Sequence, residues 1–208
     1  MNWLKSGKES EKRANYKWEI LSERLTGRLV DGYVSAEMQW GIDNEAAARF
    51  AYEQFMRTEV KRVGFIIHPT MDFFGASPDG LIGEDGGIEI KCPKTSTHLE
   101  WMFGGIVPDE HRYQMVAGIC CTERKWWDFV SYDPRLPRHL RLFIVRMQRD
   151  ESEIARVEQE IMRFNNEIED KVKALKCSWT PMEPDDNDDL EIPDFLGSTD
   201  TTLQEVNQ

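Results

Sequence analysis

Ser77-Pro78-Asp79-Gly80-Leu81-Ile82-Gly83-Glu84-Asp85-Gly86-Gly87-Ile88-Glu89-Ile90-Lys91 is the stretch whose reading decides the fold. It reads as a strand, a glycine-rich turn and a second strand. On the second strand Glu89 and Lys91 alternate with Ile88 and Ile90. Residues i and i+2 of a strand point to one face, roughly 6–7 Å apart. A carboxylate and an ammonium therefore share one face while two isoleucines enter a core. Asp79 stands before the turn and can fold back toward that pair. Two carboxylates and a lysine gathered this way suit metal-assisted hydrolysis of a phosphodiester, with the acids holding a divalent cation and the lysine steering or stabilising charge. Each piece also has an ordinary structural reading. A Glu-x-Lys on a strand is commonly a solvated face with a weak ion pair, and Pro-Asp-Gly is commonly a turn.

A chain of 208 residues supports one domain of ordinary size, with room for an appendage. No apolar run reaches the length of a membrane helix. The start, Met1 to Arg13, is lysine-rich and has no apolar signal core. The four cysteines (Cys92, Cys120, Cys121, Cys177) show no CxxC spacing and read as reduced thiols of a cytoplasmic protein. The net charge of −12 is unexpected for a protein that handles nucleic acid, but it is unevenly spread. Nine of the 38 acids and none of the 26 bases fall after residue 176, so residues 1–176 carry 26 bases against 29 acids. A nearly neutral body with a local basic groove can still bind phosphates.

Along the chain, residues 9–26 have a helical pattern in which Trp18, Leu21 and Leu25 form one apolar stripe. Lys5, Lys8, Lys12, Arg13 and Lys17 cluster there, either as a solvated face or as a phosphate-binding patch. A second helix starts at Ser35 and carries Glu45, whose i, i+4 spacing to Arg49 is that of an ordinary helix ion pair. A strand over 62–68 ends at His68, read as a strand-end or core histidine. Helices follow at Thr97–Phe103 and Asp109–Cys121, the latter with His111 and Gln114 on one face. Lys125–Tyr132 and Leu140–Met147 read as strands, in which Trp126 and Trp127 serve sheet packing. Residues 150–176 form the longest helix, with an apolar stripe at Ile154, Val157, Ile161, Phe164, Ile168, Val172 and Leu175. This divides the chain into a domain over 1–176 and an acidic tail over 177–208 that reads as disordered. Within the tail, acids followed by Ile-Pro-x-Phe between Asp188 and Phe195 look like either a short partner-docking motif or a solubilising segment.

Pro78-Asp79, nine intervening residues and Glu89-Ile90-Lys91 match the pattern of the PD-(D/E)xK nuclease superfamily. The chain more specifically resembles the phage lambda-type exonucleases, the YqaJ-like viral recombinase family. The resemblance covers about residues 15–176. It rests on Glu23-Arg24-Leu25-Thr26-Gly27; on Met38-Gln39-Trp40-Gly41 with Asn44-Glu45 and Ala48-Arg49; on Ser77 to Leu81; on Ile88 to Pro93; and on Phe129 to Arg135 with the long final helix. It implies an α/β fold with a restriction-endonuclease-like core, a central mixed sheet flanked by helices.

The same resemblance implies the site. Asp79 and Glu89 bind catalytic Mg²⁺, for which Mn²⁺ substitutes, with the Ile90 carbonyl as a further ligand. Glu45 helps hold a second ion, Lys91 positions or activates the attacking water, and Gln114 lies near the reaction. Ser77 corresponds to a serine near the 5′-phosphate. Two departures stand out. Val116 occupies the place of a second family glutamine, and the sequence starts beyond a longer N-terminal phosphate-contacting segment.

The implied activity is a 5′→3′ exonuclease acting on double-stranded DNA ends. It would act as a homotrimer and hand a 3′ overhang to a single-strand annealing recombinase, in a phage or prophage setting. Two alternatives stay open: an endonuclease or single-strand-specific DNase of the same superfamily, and a non-catalytic DNA-binding adaptor acting through its acidic tail.

Overall fold

The computed structural model describes residues 9–29, 32 and 35–178. Lys5, Lys8 and the acidic tail with its Asp188–Phe195 motif lie outside the described residues. The central hairpin forms as the sequence predicts. Strand β3 (Gly80–Ile82) runs antiparallel to β4 (Gly86–Lys91), with Gly80 opposite Ile88 and Ile82 opposite Gly86. Continuing that register by one residue carries Asp79 beside Glu89. The nine-residue spacing is thus the length of a hairpin that returns one acid to the other.

Strand β5 (Trp126–Tyr132) pairs parallel to β4, and β6 (Leu142–Gln148) pairs antiparallel to β5, giving the order β3-β4-β5-β6. A parallel step needs a long crossover. Here it is made by α3 (Thr95–Gly104) and α4 (Asp109–Thr122). The strand expected over 62–68 shrinks to β1 (Ile66–Ile67), because its ladder partner β2 (Gly75–Ala76) is equally short.

The sheet is covered on both faces, and alternation along β4 sorts its side chains between them. Ile88 and Ile90 join Ala48, Tyr52, Val130 and Tyr132 under α2 (Ala36–Met56). On the other face Met115, Ile119, Trp127, Phe129, Ile154 and Val157 form a core with α4 and α5 (Glu151–Ser178). Helix α2 starts where expected, with the Ser35 hydroxyl accepting the Met38 N–H at 3.2 Å. It is locked to the sheet by Tyr52, whose hydroxyl donates to Asp128 at 2.7 Å, while Arg146 donates to the same carboxylate at 2.7 and 2.8 Å. Trp127 packs in the sheet core as read from the sequence. A Cβ at Gly87 would come within 2.2 Å of its ring and one at Gly118 within 2.5 Å, so both positions need glycine to admit the indole.

Two expectations need correction. In α1 (Glu11–Thr26) Leu21 is buried, but Trp18 is 56% exposed and Leu25 46% exposed. The buried stripe is Arg13, Lys17 and Leu21, at spacings of four. Arg13 donates to both carboxylate oxygens of Glu167 at 2.9 Å, and Lys17 reaches Glu9 at 2.8 Å. These two cations are therefore neither a solvated face nor a phosphate patch, because acids of this chain already cover them. In α5 the apolar stripe is buried at Ile154, Val157 and Ile168, but Leu175, in the last turn of the helix, is exposed.

His68 is buried with Nε2 3.2 Å from Glu158, in keeping with a strand-end histidine. The described cysteines are all free thiols. Burial pushes Cys92 and Cys120 up to about 12 and Cys121 up to about 11. Among the described residues no helix is long and apolar enough to cross a membrane.

Candidate active site

Glu89 is only 5% exposed, so it is not the solvated strand carboxylate of the ordinary reading. Its Oε1 lies 2.7 Å from Lys91 Nζ, the two side chains sharing one face of β4. Asp79 closes the other side. Its Oδ2 accepts the Ile90 backbone N–H at 2.6 Å. The N–H and C=O of one strand residue point to the same side. The Ile90 carbonyl is therefore also directed past the end of β3, toward Asp79.

The electrostatics follow from burial and proximity. Burial, then the negative charge of Glu89, pushes the Asp79 carboxyl up to about 7, with Glu45 adding to the rise and Lys91 and the Ile90 N–H opposing it. Burial also raises Glu89, Glu45 adds to the rise, and Lys91 pulls it back. These are one buried and one half-buried carboxyl and a nearby third, with one lysine among them. The donor set fits a hard divalent cation, which would relieve the repulsion that raises the two proton affinities.

Glu45 enters this field from α2, but its side chain is engaged with Arg49, so the helix ion pair read from spacing is present. Among the described residues no three of His, Cys, Asp and Glu converge closely enough to form a ready-made metal cage. Glu45 would have to leave Arg49 to ligate.

Ser77, Glu89 and Gln114 line one cavity of about 240 Å³, together with Ala76, Ala117 and Trp127. Gln114 reaches it from α4, where its Oε1 lies 3.3 Å from His111 Nδ1. His111 received no role from the sequence beyond its shared helix face with Gln114. It stacks on Phe129, with ring centroids 5.6 Å apart, and meets the Trp101 ring edge-on at 5.2 Å. Burial, then the ammonium of Lys91, lowers its pKa.

A second missed group is the turn after β5. Asp133 is fully buried and accepts from Thr95 Oγ1 at 2.6 Å and from Arg135 Nε at 2.7 Å. Burial alone would raise its carboxyl, but these donors hold it low. Arg135 also donates to the Pro93 carbonyl at 2.9 Å and lies over the Trp40 ring at 4.5 Å. This turn therefore ties the end of β4 to α2 and α3, the elements that carry or flank Lys91 and Glu45. The clamp is a tertiary contact with no local signature in Asp133-Pro134-Arg135.

Residues 4–125 match the model of the YqaJ-like viral recombinase domain. The crystal structure of an alkaline exonuclease, LHK-Exo, from Laribacter hongkongensis is 43% identical over 82% of this chain and 86% of that one, with a TM-score of 0.77. The structure of LHK-Exo in complex with dAMP is likewise 43% identical, covering 81% of this chain and 85% of that one, with a TM-score of 0.77. A phage-related exonuclease from Haemophilus somnus shares the fold at 14% identity, covering 82% of this chain and 86% of that one with a TM-score of 0.65. No curated protein sequence matches the chain.

Proposed function

As a member of the YqaJ-like viral recombinase family this chain is a nuclease, and we propose that it is a Mg²⁺-dependent 5′→3′ exonuclease acting on double-stranded DNA ends. The observation that carries this reading is the cluster of half-buried Asp79 and Lys91 around buried Glu89, which lines a cavity shared with Ser77 and Gln114.

Asp79, Glu89 and the Ile90 carbonyl would hold the first ion, with Glu45 released from Arg49 to help hold a second. When bound, Mg²⁺ supplies Lewis acidity to the phosphate and to a water molecule. The chain's own groups do the rest. Lys91 orients the attacking water and balances the charge gathered on the phosphate. Gln114 and Ser77 donate to phosphate oxygens. Water adds to phosphorus, the P–O3′ bond breaks, and a proton passes to the departing 3′ oxygen. The product is a 5′-mononucleotide, the chemical class of the dAMP held by the Laribacter enzyme.

The opposite strand is left as a 3′ overhang, the substrate of a single-strand annealing recombinase in the cytoplasm of a phage-bearing host. The working form would be a homotrimeric ring, a closed outcome of heterologous contacts. The Asp188–Phe195 motif would dock a partner.

The test is a time course on linear duplex DNA, with or without a 5′-phosphate, in Mg²⁺ or EDTA, with wild type and Asp79→Ala. Mg²⁺-dependent loss of the 5′-phosphorylated strand, abolished by Asp79→Ala, supports the reading. Equal cutting of covalently closed circles would replace it with an endonuclease. DNA binding that ignores Mg²⁺, with no cleavage, would replace it with an adaptor.

A further inference from the structure

We propose that His111 is a positioning residue whose Nδ1–H donates to Gln114 Oε1 and so turns the Gln114 amide NH₂ toward the Glu89 cavity, to donate to a phosphate oxygen of the DNA. The proposal rests on the nuclease reading above and gives that site a specificity element for phosphate. A carboxamide carries an acceptor on one side and two donors on the other. A phosphate only accepts. Gln114 is useful to it only in one of two orientations about its last bond, and an unguided amide samples both.

The structure supplies the guide. His111 Nδ1 lies 3.3 Å from Gln114 Oε1, one helical turn away on α4. With its oxygen engaged there, the amide nitrogen faces away from His111. Gln114 itself lines the cavity that holds Glu89, Ser77 and Trp127.

The imidazole is a fixed guide. Its ring stacks on Phe129 at 5.6 Å and an interplanar angle of 17°, and Trp101 closes on it at 5.2 Å and 87°. Phe129 is the β5 residue in register with Glu89, so the stacked ring lies over the same level of the sheet as the acid. Turning the ring over would put carbon where Nδ1 now meets Gln114. On the other side Nε2 lies 3.4 Å from Glu110, whose side chain is 67% exposed and well solvated. Burial and the nearby Lys91 ammonium disfavour the imidazolium, so one N–H is present at neutral pH. We place it on Nδ1, where it meets Gln114 Oε1 at 3.3 Å; a proton on Nε2 would face Glu110 instead.

His111→Phe keeps the stacked ring and removes the N–H, so it separates positioning from packing. The expected result is a fall of about tenfold in kcat/KM on duplex DNA, the size of one hydrogen bond to a charged group, with an unchanged melting temperature. His111→Asn, which can place an amide N–H near the Nδ1 position, should recover most of the loss. In a Gln114→Ala background His111→Phe should cost nothing further.

A readout independent of cleavage is ¹⁵N NMR of the imidazole in the full chain, which should show the proton on Nδ1, with the Gln114 amide signals moving in His111→Phe. Wild-type rates in His111→Phe, an additive loss on top of Gln114→Ala, an inert Gln114→Ala, or a proton confined to Nε2 would each overturn the proposal. A chain that cuts no DNA in Mg²⁺ would defeat the proposed function instead, and the NMR result would still decide how His111 holds Gln114.

Discussion

Along the seam between α1 and α5, Glu167 receives two guanidinium nitrogens of Arg13 at 2.9 Å, and Glu9 receives Lys17 at 2.8 and 2.9 Å. Arg13 holds the Glu167 carboxyl below its usual range, and Lys17 with Arg13 does the same for Glu9. At the β3–β4 hairpin the sign reverses: burial and like charge raise both Asp79 and Glu89. Both regions set carboxylates against cations: in the seam the cations are the buried partners, at the hairpin the carboxylate Glu89 is. The first set is matched within the chain and stabilises the fold. The second carries more negative charge than Lys91 can balance, which strains the fold and leaves a place for a cation from outside.

The largest effect that sharpens this contrast is expected at Glu89. Glu89→Gln removes one of the two repelling carboxyls and should cut Mg²⁺-dependent cleavage on the order of a thousandfold, by analogy with the loss of a charge-stabilising group in other enzymes. Its melting temperature in EDTA should hold or rise. Glu167→Gln should do the reverse, keeping the cleavage rate and lowering the melting temperature. If Glu89→Gln proved the more destabilising of the two, the hairpin acids would be structural and the contrast would fail.

Next in size is Asp128, a matched carboxylate close to the site. It is fully buried and receives Arg146 twice and Tyr52 once. Asp128→Asn should cost about 3 kcal/mol in urea unfolding, as expected for breaking a buried pair. The cleavage rate per folded molecule should stay near wild type, because Asp128 points away from the cavity toward α2. A selective loss of cleavage without unfolding would blur the division between matched and unmatched acids.

The hairpin was legible in the sequence because its signals are local. Alternation placed Ile88 and Ile90 in one core, and the Asp79–Glu89 spacing is set by the antiparallel register itself. What escaped was decided by distant partners. Arg13 and Lys17 are indistinguishable from solvated bases until α5 supplies Glu167. The Arg135 clamp depends on Trp40, Pro93 and Thr95 arriving together. Glu45 shows both sides of this. Its helix pairing with Arg49 could be read from spacing, whereas its influence on Asp79 required the fold.

The pH dependence of stability in EDTA should set the two regions in opposition. The folded Asp79 carboxyl, at about 7, lies above its unfolded value of about 3.9. Between those values the folded state binds the extra proton, so this group makes stability fall as pH rises and has no further effect above about 7. Glu167 and Glu9 are shifted down. Their contribution is present above the unfolded carboxyl value and is lost as pH falls through the lower folded one. From pH 5 to 8 the wild-type melting temperature should therefore decline by a few degrees, and Asp79→Asn should flatten the decline. Mg²⁺ should also reduce it, by occupying the place of the proton. A wild-type curve already flat in EDTA would remove the electrostatic distinction between hairpin and seam.

The smallest effect is expected at Arg13, and its smallness is informative. Arg13→Met would keep an apolar side chain over the Phe164 ring, which Arg13 now covers at 4.8 Å. Glu167 would still have Lys17 at 3.6 Å, and Glu9 would keep Lys17 at 2.8 Å. Both acids are partly exposed and each keeps a cation, so the cost should be about 1 kcal/mol, toward the range of partly exposed pairs and below that of an orphaned buried charge. Adding Glu167→Gln should cost less than the two single changes predict, since the Arg13–Glu167 interaction can be lost only once. At the hairpin, among the described residues, Lys91 is the cation that acts on both Asp79 and Glu89. A cost at Arg13 as large as that at Asp128 would show that the seam has no reserve, and redundancy of cations would cease to separate it from the site.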